Sequence, residues 1–226
     1  MTRAKPPAAP LTRPRAPART AATRDPDGTK AAILAASLKE FTDKGFGGAR
    51  VDAIAAHANI NKRMLYHYFG GKEALYLAVL ENIYAAIRSA ETALDLGHKA
   101  PREALRELVL FTWRYYIEHP EFLSLLGTEN LLKGRFLRRS DRVVEMNSPV
   151  IDALRDVLDR GARHRLFRPG IDALDVYLSI AGQGFFYLSN RWTLSTVFRR
   201  DLMDPAQLDR WGEHIVEVIL RFVSAP

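Results

Sequence analysis

Residues 51–75 read VDAIAAHANINKRMLYHYFGGKEAL, and two helical periods meet in them across a turn. Val51, Ile54, Ala55 and Ala58 recur at the i, i+3, i+4, i+7 spacing of one helix face. Asn59-Ile60-Asn61 follows. Asparagine tolerates positive φ better than most residues, which suits Asn59 to a tight turn. Asn61 is a good N-cap for a second helix, which runs from Lys62 to about Phe69 and stops at Gly70-Gly71. The spacing therefore predicts helix, three-residue turn, short helix: a helix-turn-helix. Two helices this short are not stable alone, so they need other helices to pack on.

The second helix has two unlike faces. Leu65 and Phe69, four residues apart, face inward; Lys62, Arg63, Tyr66 and His67 lie toward the other side, with Met64 and Tyr68 at the boundary. An apolar underside with a cationic, hydrogen-bonding top fits the DNA major groove. There the N-terminal residues of a recognition helix reach base edges while Lys, Arg and Tyr hold phosphates. Upstream, Ile33, Leu34, Ser37, Leu38 and Phe41 predict a helix over about 29–44, capped by Asp27 or Thr29. Gly45 is placed to end it at positive φ, and Phe46 to fold back onto Phe41.

The run VDAIAAHANINKRMLYHYFGGKEALYLAVL (51–80) resembles the DNA-binding signature of TetR-type transcriptional regulators, and AAILAASLKEFTDKGFGGARV (31–51) resembles that family's first helix and loop. The resemblance implies that Lys62, Arg63 and Met64 face bases, and that Tyr66, His67, Tyr68 and Lys72 contact bases or phosphates. With Lys30, Arg50 and Asn61 they form the candidate DNA-binding set. Lys72 also opens the next helix, and helix N-termini and lysines both attract phosphate. Two positions depart from the family pattern. Ala49 stands where a capping Thr is usual, a loss of roughly 1 kcal/mol at the helix start, with Arg50 beside it able to supply a phosphate contact. Asn59 stands where Gly is usual.

The remaining chain also reads as helical. Leu75, Val79, Ile83, Ile87, Ala90 and Leu94 mark a long helix over about 72–95. Pro101 and Pro120 suit first-turn positions of helices over about 101–118 and 120–133, and Pro149 is read as starting another to about Arg163. Residues 134–147 are polar and without a clear period. Residues 172–192 are apolar nearly all round, and 206–223 carry two apolar stripes. Their surplus apolar surface fits a homodimer in which both helices pack against their copies, as the resembled family usually does; the alternative is a larger intrachain core. The expected fold is all-α with about nine helices: a helix-turn-helix domain over 27–72 and a larger helical domain over 73–226 for effector binding and dimerisation.

Trp113, Tyr116, Tyr177, Gln183, Phe186 and Asn190 combine apolar bodies with polar tips on helices read as core, the mixture a ligand pocket needs, though ordinary packing uses it too. The stretch HPEFLSLLGTENLLKG (119–134) resembles TetR-type repressors of nitrogen-heterocycle catabolism, which implies a small planar effector. The glycines of GQGFF (182–186) allow close helix approach or leave room for a ligand.

Composition narrows the classes. The 226 residues carry 33 Lys and Arg against 26 Asp and Glu, a net charge of +7. Arg3, Lys5, Arg13, Arg15, Arg19 and Arg24 lie within a proline-rich stretch free of acids, and residues 1–26 are expected to be disordered. Such a tail suits a polyanion partner, nucleic acid before membrane; it equally suits a solubilising role. With no cysteine, disulfides and thiolate chemistry are excluded. No HExxH, GxSxG, P-loop or dinucleotide fingerprint occurs, so neither an enzyme nor a cofactor is expected. No apolar run approaches the roughly 18 residues of a membrane span. The reading is a cytoplasmic, ligand-responsive DNA-binding regulator, a repressor released by a small molecule from a palindromic duplex operator. The alternative is an architectural or partner-recruiting DNA-binding protein without an effector.

Overall fold

The computed structural model describes residues 26–225; apart from Pro26, the basic tail lies outside them. Among these residues there are ten α-helices and no strand, with one isolated antiparallel bridge between Phe167 and Ser224. The helices are α1 (Pro26–Gly48), α2 (Val51–His57), α3 (Lys62–Phe69), α4 (Lys72–Thr92) and α5 (Pro101–Glu118). They continue with α6 (Pro120–Leu131), α7 (Asp141–Arg163), α8 (Ala173–Ser189), α9 (Arg191–Phe198) and α10 (Pro205–Val223).

Local chemistry explains most of the boundaries. Pro101, Pro120 and Pro205 each open a helix, where the missing N–H would have no intrahelical partner. In α1 the chain turns at Gly45, whose φ of 63° favours glycine, and Phe46 swings back to stack on Phe41 with ring centroids 6.4 Å apart. α1 begins at Pro26, so Asp27 falls in its first turn.

Two boundaries differ from the sequence expectation. Pro149 lies inside α7 instead of starting it. The helix begins at Asp141 because the Ser140 side chain accepts the Val143 N–H (3.3 Å) and donates to Glu81 (2.7 Å), while Val143 is buried. That capping and packing carry the helix through a proline that removes one backbone hydrogen bond. Second, the helix expected over 172–192 ends at Ser189. Asn190 adopts φ −104° and ψ 8°, its amide donates back to the Phe186 carbonyl, and α9 starts afresh, the tenth helix.

α4 packs along α7, α1 packs on α4 and α6, and α5 lies between α8 and α10. A single apolar cluster runs from Ile33 in α1 to Val223 in α10. Close approach is enforced at Gly161, where a Cβ would stand 1.9 Å from the Phe167 ring. In the single chain α8 is buried on one side only: Leu174, Leu178 and Phe186 are about half exposed.

Candidate functional site: the exposed face of α3 and a buried polar cluster

The turn between α2 and α3 is built as its residues suggest. Asn59 has φ 52°, and the Ile60 N–H bonds back to the Ala55 carbonyl (3.0 Å), a Schellman-type ending. Asn61 then caps α3: its side chain accepts the Arg63 N–H at 2.9 Å. Leu65 is fully buried, which anchors α3 by roughly 1.5–3 kcal/mol of apolar burial. Tyr68 and Phe69 pack half-buried against the same core. The start of α2 has no hydroxyl cap; Arg50 occupies the cap position, and the buried Glu40 carboxylate accepts its N–H at 3.1 Å. Glu40 thus places an acceptor and a negative charge at the helix start that Ala49 leaves without one.

The polar top of α3 is accessible. Arg63, Tyr66 and His67 are exposed, and Met64 is half-buried. Lys62 forms an ion pair with Asp52 of α2 (2.7 Å), so part of its charge is directed along the turn. Asn61 spends its carbonyl oxygen on the cap. Lys72 lies 4.9 Å above the Phe46 ring and reaches toward the Gly47 carbonyl (3.5 Å), which holds it at the junction of α1 and α4. Arg50 and Lys30 are exposed.

The six candidate ligand residues separate into groups. Trp113 and Tyr116 are buried; Trp113 donates to the Leu208 carbonyl (3.1 Å) and fills the space left by Gly212, while Tyr116 packs on Gly184. Gln183 and Asn190 bond to carbonyls of α8, and Phe186 points outward at 60% exposure. Tyr177 is drawn into a cluster that the sequence reading missed. Its hydroxyl accepts from Arg88 Nη2 at 2.6 Å, and Arg88 Nη1 lies 2.6 Å from the Glu91 carboxylate. Arg88 and Glu91 are both buried, at 7% and 4% exposure, and Tyr84 and Tyr116 stand within electrostatic reach. The Nε and Nη1 of Arg88 and both Glu91 oxygens have no well-oriented hydrogen-bond partner among the described residues. Buried polar groups are ordinarily satisfied, so such a set is unusual. Burial, opposed by Arg88, raises the Glu91 pKa from the ordinary 4.5 to about 7. Burial also pushes the Tyr84, Tyr116 and Tyr177 hydroxyls upward, so they remain neutral donors at neutral pH.

Arg88 and Glu91 also line a cleft of about 420 Å³ between α4 and α7, walled by Leu96, Met146, Pro149, Val150 and Ala153. Its size suits a small molecule. The signal for this site was present in the sequence: Tyr84, Arg88 and Glu91 recur at i, i+4, i+7, a helix face whose polar members the apolar stripe of α4 obscures.

A helix-turn-helix on a helical body with a polar interior cluster is the architecture of a one-component DNA-binding regulator. Residues 33–79 match "Bacterial regulatory proteins, tetR family", and residues 101–219 match "Tetracyclin repressor-like, C-terminal domain". The chain is 42% identical over 195 residues to the HTH-type transcriptional repressor NicS of Pseudomonas putida, covering 86% of this chain and 92% of that one. It is 35% identical over 143 residues to the HTH-type transcriptional repressor SCO4008 of Streptomyces coelicolor, covering 62% and 70%. A crystal structure of the putative transcriptional regulator SCO4942 from Streptomyces coelicolor shares the fold with a TM-score of 0.65 at 23% identity, covering 88% and 99%. The chain belongs to the TetR family of transcriptional regulators. No helix among the described residues is long and apolar enough to cross a membrane.

Proposed function

We propose that the protein is a dimeric repressor that binds a palindromic operator through α3 and leaves it when a small molecule occupies the Arg88–Glu91 cluster. The observation that carries the effector reading is the buried Arg88–Glu91 ion pair, whose Arg88 Nε and Glu91 Oε1 are left without a partner among the described residues, beside a cleft on α4. A small planar ligand offering hydrogen-bond acceptors to Arg88 and a donor to Glu91 would satisfy groups whose isolation costs about 1–3 kcal/mol each. Lys72 opens α4 at the DNA face, and Arg88 stands sixteen residues along the same helix, about 24 Å away. Displacement of α4 would change the separation of the two recognition helices, which must match successive turns of the operator. A ligand preferring the non-binding state by about 100-fold supplies about 2.7 kcal/mol.

Leu174 and Leu178 of α8, with Val218 and Phe222 of α10, leave an exposed apolar face of the kind that two copies cover. This supports dimerisation through these helices. Trp113 and Tyr116 then act as packing more than as direct ligands, and Gln183 and Asn190 bond to their own helix. The test titrates small planar heterocycles and their acids against the protein bound to a selected duplex, with wild type and Arg88→Met in parallel. Release from wild type but not from Arg88→Met, at equal affinity for the duplex, is expected. Equal release from both proteins would overturn the assignment of the site.

A further inference from the structure

The segment between α6 and α7, with the first turn of α7, carries more positive charge than its ion pairs neutralise; Arg142 pairs with Glu81 at 3.7 Å. Lys133, Arg135, Arg138, Arg139 and Arg142 are all exposed within ten residues that contain a single acid, Asp141. The segment is nonetheless rigidly mounted. Phe136 is fully buried, 4.6 Å from the Phe46 ring and 5.0 Å from Tyr76, and the buried Glu129 carboxylate accepts the N–H groups of Phe136 and Leu137. Phe46 is the ring over which Lys72 lies, so one aromatic side chain separates this turn from the candidate phosphate contact of α4. Arg135 and Arg139 both bind Glu73, the residue after Lys72, at 2.7 and 3.1 Å. That carboxylate neutralises one charge and orients two guanidinium groups beside the DNA-facing end of α4. Arg138 bonds only locally, to the Gly134 carbonyl, and neither it nor Lys133 has an acidic partner among the described residues.

Lys133 and Arg138 are thus left uncompensated beside two guanidinium groups that share one carboxylate, and like charges held together on a rigid turn repel one another and are tolerated where a polyanion neutralises them. We propose that this turn is a second phosphate-contacting surface, gripping the duplex that flanks the bases read by α3. The inference rests on α3 being the reading helix. It adds a contact from the larger helical body that carries affinity without base preference. It also gives the repressor a binding strength that depends on the length of duplex beyond the recognised core.

The experiment compares full-length wild type with Lys133→Gln/Arg138→Gln on two duplexes selected in vitro. One holds the recognised core alone; the other holds the same core with ten added base pairs on each side. Fluorescence anisotropy across a salt series gives the slope of log K against log salt. On the long duplex the variant's slope is expected to be shallower by about 0.9 for each phosphate contact removed. On the core duplex the two proteins should coincide. Lys133→Arg/Arg138→Lys, which keeps the charge, should retain the wild-type slope, so misfolding cannot imitate the result. Equal slopes for the Gln variant and wild type on the long duplex would overturn the proposal. So would an equal loss on both duplexes. Arg63→Ala, run beside them, reports separately on α3: unchanged base preference there would refute the reading helix, not the turn.

Discussion

Replacing Glu91 by glutamine tests which force governs the buried cluster. Burial raises the Glu91 pKa to about 7 from the ordinary 4.5, despite the neighbouring Arg88. Between those two values the folded protein holds a proton that the unfolded chain has released. Stability therefore falls as pH rises from about 4.5 to about 7 and is level above. The difference corresponds to about 3 kcal/mol. Glutamine mimics the protonated side chain and does not titrate, so Glu91→Gln escapes this loss. Urea unfolding followed by tryptophan fluorescence, at one protein concentration because a dimer's stability depends on it, gives the comparison. The two proteins should differ little at pH 5, and the variant should become more stable than wild type by about 2–3 kcal/mol at pH 8. A difference that does not change between pH 5 and 8 would refute the reasoning. A wild type that gains on the variant as pH rises would show that attraction to Arg88 outweighs burial.

Two further substitutions examine the scaffold. Asn61→Ala removes the acceptor for the Arg63 N–H and should cost about 1 kcal/mol, lowering affinity for every duplex alike, with thermal unfolding and anisotropy as readouts. Gly161→Ala brings a Cβ to within 1.9 Å of the Phe167 ring, so the ring must move. Overpacking of this kind costs about 1–3 kcal/mol or more, visible as a lower urea midpoint, and an unchanged midpoint would show that Phe167 yields freely.

The helix-turn-helix was legible because its determinants are local. Asn59, Asn61 and Gly70 act on their own backbones, and each residue needs only its neighbours to do so. The inward set of α3 follows from the 3.6-residue period, which Leu65 obeys. Boundaries set by distant partners were not legible. α7 starts eight residues before its proline because Ser140 bonds to Glu81, a residue 59 positions away. The break at Asn190 divides a run whose apolar pattern continues across it.

The candidate sites divide in the same way. Sequence by itself determined the second helix of the helix-turn-helix, its exposed Arg63, Tyr66 and His67, and the cationic start of α4, because helical geometry alone decides which residues share a face. It did not separate packing aromatics from ligand-facing ones. Trp113 meets Gly212 from α10, and Tyr177 meets Arg88 from α4, pairings between helices distant in sequence that only tertiary packing creates. The charge on Arg138 could be counted in the sequence, but that its turn is anchored one ring away from Lys72 depends on Phe136 packing against Phe46, ninety residues away. Local periodicity shows what each helix can present; which groups meet, and which buried atoms remain without partners, is decided when the helices close on one another, since burial and pairing are properties of the assembled interior.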